Sequence, residues 1–331
     1  LHYPGAFLAG LLRAQPMGFY SSATLTADAG RHGVRTLRPC LARSGVDAGL
    51  EAQPADHDPA RPGPTGMSSC TDRHQPPVGE FDRDAPDESA AHRRDGRFAV
   101  RLGLVEVRGI GRDLAEKIVA SRETDGMFAS MGDLARRTEL TAQQLEALAA
   151  SGALECLGST RREALWRAGT AALDQPGFLP GTLADVQPPL FAEPSAFETL
   201  ADDLWATGLS TDDHPLAHLR PGLDARGVLP SSGLRTAEAG RRVEVAGVVT
   251  HRQRPSTASG ITFMNLEDEH GLVNVVCSQG VWMRYRRIAR DSAALIVRGM
   301  LERSPEGVTN LLADYFEPLR LRVRHSSRDF R

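Results

Sequence analysis

The chain has 331 residues, 41% hydrophobic and 24% charged, with a formal net charge of −3; this is ordinary for a globular protein of two or three domains and gives no global attraction for a polyanion. Aromatic residues make up only 5%, which excludes an extended set of base-stacking platforms, and no run approaches the roughly 18 apolar residues of a membrane span. Cys40, Cys70, Cys156 and Cys277 have neither zinc-knuckle nor redox-motif spacing, and no signal peptide opens the sequence, so reduced thiols in a cytoplasmic protein are expected.

Residues 1–37 are expected to be helical. Phe7, Leu8, Leu11 and Leu12 form one apolar stripe, Gln15 to Tyr20 interrupts it, and Ser22 or Thr24 is placed to cap a second helix that stops at Gly33. Residues 38–96 then lose apolar periodicity and gain prolines, the pattern of a linker or disordered insert. This stretch holds Asp56-His57-Asp58 and Asp82-Arg83-Asp84. Paired carboxylates can hold Mg²⁺, but that chemistry needs them fixed on rigid elements.

Residues 97–173 read as a compact helical unit. Phe98, Val100, Leu102 and Leu104 alternate as in a short strand. Val107-Arg108-Gly109-Ile110-Gly111 then leads into Arg112 to Val119, where Leu114, Ala115, Ile118 and Val119 share a helix face. Two glycines in such a turn allow positive φ and close approach of a partner to the backbone. Amides of the turn and of the helix N-terminus would point outward together at a phosphate. The candidate DNA-binding residues are Arg108, Gly109, Ile110 and Gly111, with Arg112 and Lys117, the sole lysine, adding charge. A plain helical corner is the alternative. Phe128 to Ala135 gives another helix, and Thr141 caps a third that ends at Gly152. Ser151-Gly152-Ala153-Leu154 is a second, weaker hairpin, so a tandem helix-hairpin-helix unit is expected.

Residues 174–240 form a Pro-rich connection with a helix near Phe197 to Gly208. It includes Gln187-Pro188-Pro189-Leu190-Phe191, in which Gln187, Leu190 and Phe191 fit a sliding-clamp-binding peptide. Residues 241–318 are β-rich: Val243 to Val249, Ile261 to Leu266, Leu272 to Cys277, Ala294 to Leu301 and Val308 to Tyr315 predict five strands, with a helix from Trp282 to Arg290. Five strands with a helix between the third and fourth match an OB barrel. Arg252, Arg254, Phe263 and Asn265 lie on or beside its first two strands, where this fold often binds single strands. Phe263 could equally be a core residue, because Ile261 shares its face. From Arg241 onward fifteen arginines face ten acids, and residues 319–331 read as a basic tail. The predicted fold class is multidomain α+β, a helix-hairpin-helix unit followed by a five-stranded OB-type barrel.

Taken together, YPGAFLAGLLRAQPMGFYSSATLTADAGRHG (residues 3–33), VRLGLVEVRGIG (100–111), ALECLGSTRREALW (153–166), VAGVVTHRQRPSTASGITFMNLEDE (245–269) and the ending SRDFR resemble the C-terminal part of bacterial C-family DNA polymerases, most closely the error-prone branch of translesion synthesis. The resemblance covers residues 1–36 and 97–331. It implies that residues 1–36 end the fingers region and that the palm, with its catalytic carboxylates, lies upstream. The full-length polymerase would then use Mg²⁺ for nucleotidyl transfer in DNA-damage-induced repair, and this chain, with no catalytic residue or metal ligand of its own, would be inactive alone. The implied partners are duplex and single-stranded template DNA, with a sliding clamp or a mutagenesis accessory protein. A non-enzymatic helix-hairpin-helix plus OB module from a truncated gene is the alternative, separated by whether the gene extends upstream in frame.

Overall fold

The computed structural model describes residues 2–18, 20–53, 93–174, 188–305 and 307–321, and the backbone of 328–330. These fall into two units, one up to Asp212 and one from Asp213 onward.

In the first unit, α1 (Pro4–Arg13) starts with proline, whose missing amide costs nothing there, and buries Leu8, Ala9 and Leu12. Helix α2 (Ser22–Arg31) is capped by Ser21, whose hydroxyl accepts the Thr24 amide at 3.1 Å. The cap thus sits one residue before Ser22, because the preceding serine already has the extended backbone a cap needs. The linker expected over residues 38–96 is corrected at its described residues, 38–53 and 93–96. Strands β1 (Thr36–Leu37), β2 (Gly49–Ala52) and β3 (Phe98–Arg101) form a sheet in the order β1-β3-β2. Strand β1 runs parallel to β3, and β2 antiparallel. Long-range polar contacts hold this stretch: Ser44 donates to the Leu102 carbonyl at 2.7 Å, and Arg101 pairs with Glu51. Such partners are invisible to a periodicity argument.

Helices α3 (Arg112–Asp125), α4 (Met131–Thr138), α5 (Ala142–Ala150), α6 (Arg161–Ala171) and α7 (Ala196–Thr207) follow. Thr141, Thr160 and Ser195 each open a reciprocal capping box, with Gln144, Glu163 and Glu198. Leu104, Ile110, Ile118, Leu134, Leu145 and Leu148 meet in one core, which Leu41 joins from the segment after β1.

In the second unit a short helix α8 (Arg220–Ala225) precedes β4 (Arg242–Gln253), β5 (Thr262–Glu267), β6 (Leu272–Cys277), α9 (Gln279–Asp291), β7 (Ala294–Arg303) and β8 (Thr309–Pro318). The order β5-β6-β8-β7-β4, closed by β4 against β5, is a five-stranded barrel. Its interior holds Val245, Val249, Leu266, Val275, Leu301 and Phe316. Ala246, Val248 and Ile296 face the other way, onto Leu216, Leu223 and Val228. Both faces of the first half of β4 are therefore apolar. The ending is not merely a tail: β9 (Arg328–Phe330) pairs parallel with His251 to Gln253 of β4. Among the described residues no helix is long and apolar enough to cross a membrane.

Candidate nucleic-acid interface

The first hairpin is held from beneath and open above. Ile110 is buried in the helical core, while Gly109 and Gly111 are exposed on either side of it. The turn closes when the Ile110 amide donates to the Val107 carbonyl at 3.0 Å. This corrects the expectation that the Ile110 amide faces a ligand: it is consumed by the turn, and its side chain anchors the hairpin. Gly109 has φ +76°, a conformation that strains any side chain. Gly111 does not share it. It caps α3 in extended backbone at φ −72° and ψ 170°, and its place is open to solvent, with no atom near a β-carbon built there. The cap provides no side-chain acceptor, so the first-turn amides of α3 face outward, the arrangement that attracts an anion. Gln144, from the cap of α5, donates to the Gly109 carbonyl at 3.0 Å and braces the turn.

The charges expected around the hairpin are largely matched. Arg112 makes a fork to Asp47 at 2.7 and 3.1 Å, and its hydrogen bonds hold the Asp47 carboxyl below the usual range. Lys117 pairs with Glu139, which it lowers in the same way. Both pairs are exposed, so a phosphate can compete for either cation at modest cost. Among the described residues Arg108 makes no ion pair; its guanidinium lies 5.4 Å from the centre of the Trp205 ring. Trp205, contributed by α7, was not legible as a neighbour of the hairpin. The link is a backbone bond from the Arg108 amide to the Ala206 carbonyl at 2.7 Å, and no local pattern announces it.

The second hairpin differs. Ser151 to Leu154 are all buried, and a β-carbon on Gly152 would meet the Arg161 guanidinium at about 3 Å. Arg161 is itself buried and bonded to Asp203 at 2.8 Å and to the Ala150 carbonyl at 3.2 Å. This hairpin is a packing joint for α7, not a second open phosphate site.

On the barrel, register sorts the four expected residues. Met264 and Val275 lie in the interior, and Arg252 is opposite Met264. Arg252 accordingly points inward; it is 5% exposed and donates to the Ala289 and Ser292 carbonyls at 2.7 and 2.5 Å. It caps the C-terminal end of α9, where a cation complements the exposed carbonyls. Its expected role in DNA contact is therefore corrected. Phe263 and Asn265 point outward, in rows with Gln253 and Val276, and with His251 and Asn274. Phe263 is 38% exposed and lies outside the core, so the core placement the sequence left open is not the one adopted. Arg254 is exposed in the loop between β4 and β5. Asn274 was missed, although alternation from Leu272 to Cys277 already placed it on the outer face.

Of the clamp-like segment, Gln187 lies outside the described residues. Leu190 is fully exposed, and Phe191 sets its ring edge-on to Trp166, with centroids 6.0 Å apart. Arg162 donates to the Ala192 carbonyl at 2.9 Å. The aspartate pairs at 56–58 and 82–84 also lie outside the described residues. Among the described residues no group of three or more His, Cys, Asp or Glu could hold a metal ion.

A family profile described as a helix-hairpin-helix motif matches residues 33–164, and one described as an OB-fold nucleic acid binding domain matches residues 243–319. Over its whole length the chain is 53% identical to an error-prone DNA polymerase of Cutibacterium acnes, 45% to one of Mycobacterium bovis and 42% to one of Corynebacterium glutamicum. It spans 29%, 26% and 27% of those proteins' lengths. Over its whole length, and in the order of its helix-hairpin-helix and OB-fold modules, the chain is similar to the C-terminal part of error-prone DNA polymerases.

Proposed function

We propose that this chain is the DNA-holding portion of a bacterial, cytoplasmic error-prone polymerase acting in damage-induced translesion synthesis and repair. Nucleotidyl transfer is carried by carboxylates outside the chain. The open amides around Gly109 and Gly111, with Arg108, hold a phosphate of duplex DNA, and Arg112 and Lys117 exchange their carboxylate partners for phosphate when DNA binds. The outer face of β5 and β6, through Phe263, Asn265 and Asn274, together with Arg254, holds single-stranded template. The exposed Leu190 and the adjoining Phe191 are the contact for a sliding clamp.

The observation that carries this reading is the hairpin: a buried isoleucine between two exposed glycines, feeding a helix whose first turn lacks a side-chain cap. Phosphate contacts carry no base code, so binding should be independent of sequence and sensitive to salt. The test titrates a labelled duplex with the full chain at several salt concentrations, comparing it with Gly111→Val. A branched side chain there is compatible with the extended backbone and blocks close approach. Affinity should fall similarly for all duplex sequences. Unchanged affinity, with the circular dichroism spectrum intact, would overturn the hairpin's role.

A further inference from the structure

Cys40 and Cys156 stand far apart in the sequence, yet the fold brings them to one carbonyl. Leu41, bonded to Cys40, donates its amide to the Ala153 oxygen at 2.9 Å, and the Cys156 thiol donates to the same oxygen at 3.5 Å. Both cysteines sit in tight turns. The Cys40 amide donates to Ser44 Oγ at 2.9 Å, and the Cys40 carbonyl accepts the Ser44 amide at 2.8 Å. The turn around Cys156 is closed by the Leu157 amide on the Leu154 carbonyl, at 2.9 Å. Neither cysteine is in a disulfide; Cys156 is exposed and Cys40 half-buried.

We infer that Cys40 and Cys156 are a peroxide-responsive thiol pair, convertible to a disulfide that ties the turn after β1 to the turn after the second hairpin. The surroundings suit the chemistry. The neighbouring Cys156 thiol, with the Ala42 and Arg43 amides and the Arg101 charge, outweighs burial and pulls the Cys40 thiol well below its ordinary value. Cys156, beside that sulfur, is pushed the other way. Cys40 is thus the attacking thiolate and Cys156 the resolving thiol. The Cys40 sulfur attacks one oxygen of hydrogen peroxide, the O–O bond breaks, and hydroxide leaves and takes up a proton as water. The Cys156 sulfur then attacks the Cys40 sulfenic acid. The S–S bond forms, the S–O bond breaks, and the departing hydroxide takes the Cys156 proton as a second water. Two thiols are oxidised by two electrons and one peroxide is reduced. Cys277 contrasts with the pair: it is buried in the barrel, and burial pushes its thiol up to about 12.

The experiment exposes the full chain to stoichiometric hydrogen peroxide, blocks remaining thiols, and maps a non-reducing digest by mass spectrometry. The expected product is a peptide pair joined through Cys40 and Cys156, lost on reduction, with Cys277 alkylated only after unfolding. Cys70→Ser should leave that cross-link unchanged. In Cys156→Ser the reaction should stop at a Cys40 sulfenic acid that dimedone traps. A dominant link from Cys40 or Cys156 to Cys70, sulfinic acid on Cys40 without a link, or no reaction would each overturn the inference. The wild-type digest alone decides it if a variant fails to fold.

Discussion

At the scale of single residues, two side chains one strand apart separate structure from recognition. Arg252 and Phe263 have equal claims to a nucleic-acid face when only their position in the sequence is considered. The bulge in β4 between Val249 and His251 sets the register that turns Arg252 inward. There it satisfies two carbonyls at the end of α9. Arg252→Ala should cost about 2–3 kcal/mol, the scale of lost charge-assisted hydrogen bonds at a buried site, and lower the melting temperature of the barrel. Phe263→Ala removes an outward ring and should leave the melting temperature nearly unchanged. It should weaken single-strand binding by about 1–3 kcal/mol, the usual worth of one stacked base. Thermal unfolding and a single-strand titration on both variants check the pair. A large stability loss in Phe263→Ala, or none in Arg252→Ala, would show that the register argument fails.

At the scale of elements, strand β2 shows what sequence periodicity misses. Only four residues long and opening on Gly49, it depends on cross-strand partners rather than on an apolar alternation of its own. Glu51 of β2 takes a fork from Arg101 of β3, with a second bond from Arg43 at 3.0 Å. The Arg101 hydrogen bond leads the forces that hold the Glu51 carboxyl below its usual value of 4.5. A carboxylate depressed in the folded state adds stability that is complete above its unfolded value and is lost as pH falls through the folded one. Denaturant unfolding from neutral pH to about pH 3 should therefore show wild type more stable than Glu51→Gln at neutral pH, with the gap closing in acid; a gap independent of pH would remove this pair from the acid response. Elsewhere the elements were legible where they carry their own signals. Capping boxes at Thr141 and Ser195 and alternation in β6 fix their boundaries locally. Strands β1 and β2, the burial of the second hairpin under Arg161, and the pairing of β9 with β4 all depend on partners distant in sequence, which no local pattern encodes. The candidate site divides in the same way: the hairpin glycines were legible, while Trp205 and the spent Ile110 amide needed the fold.

At the scale of the whole molecule, the proposed DNA-holding role leaves nucleotidyl transfer to carboxylates outside the chain, so the chain by itself should not extend a primer. Primer extension with Mg²⁺ and nucleotides should stay at background; extension abolished by Asp82→Asn with Asp84→Asn would overturn that and assign chemistry to the insert. The proposed clamp contact gives the sharper test, because two uses of Phe191 exclude each other. Phe191 rests on Trp166, whereas a clamp groove would take Phe191 and Leu190 together. A site partly occupied by its own chain binds more weakly, by the fraction of time it is released. A peptide spanning residues 185–194 should therefore bind a bacterial sliding clamp at micromolar strength, and the full chain more weakly. Trp166→Ala, which removes the competing surface, should bring the full chain toward the peptide. Leu190→Ala combined with Phe191→Ala should abolish binding in both. If the unmodified peptide fails to bind at high micromolar concentration, the segment is a strap on α6, held there by Trp166 and Arg162.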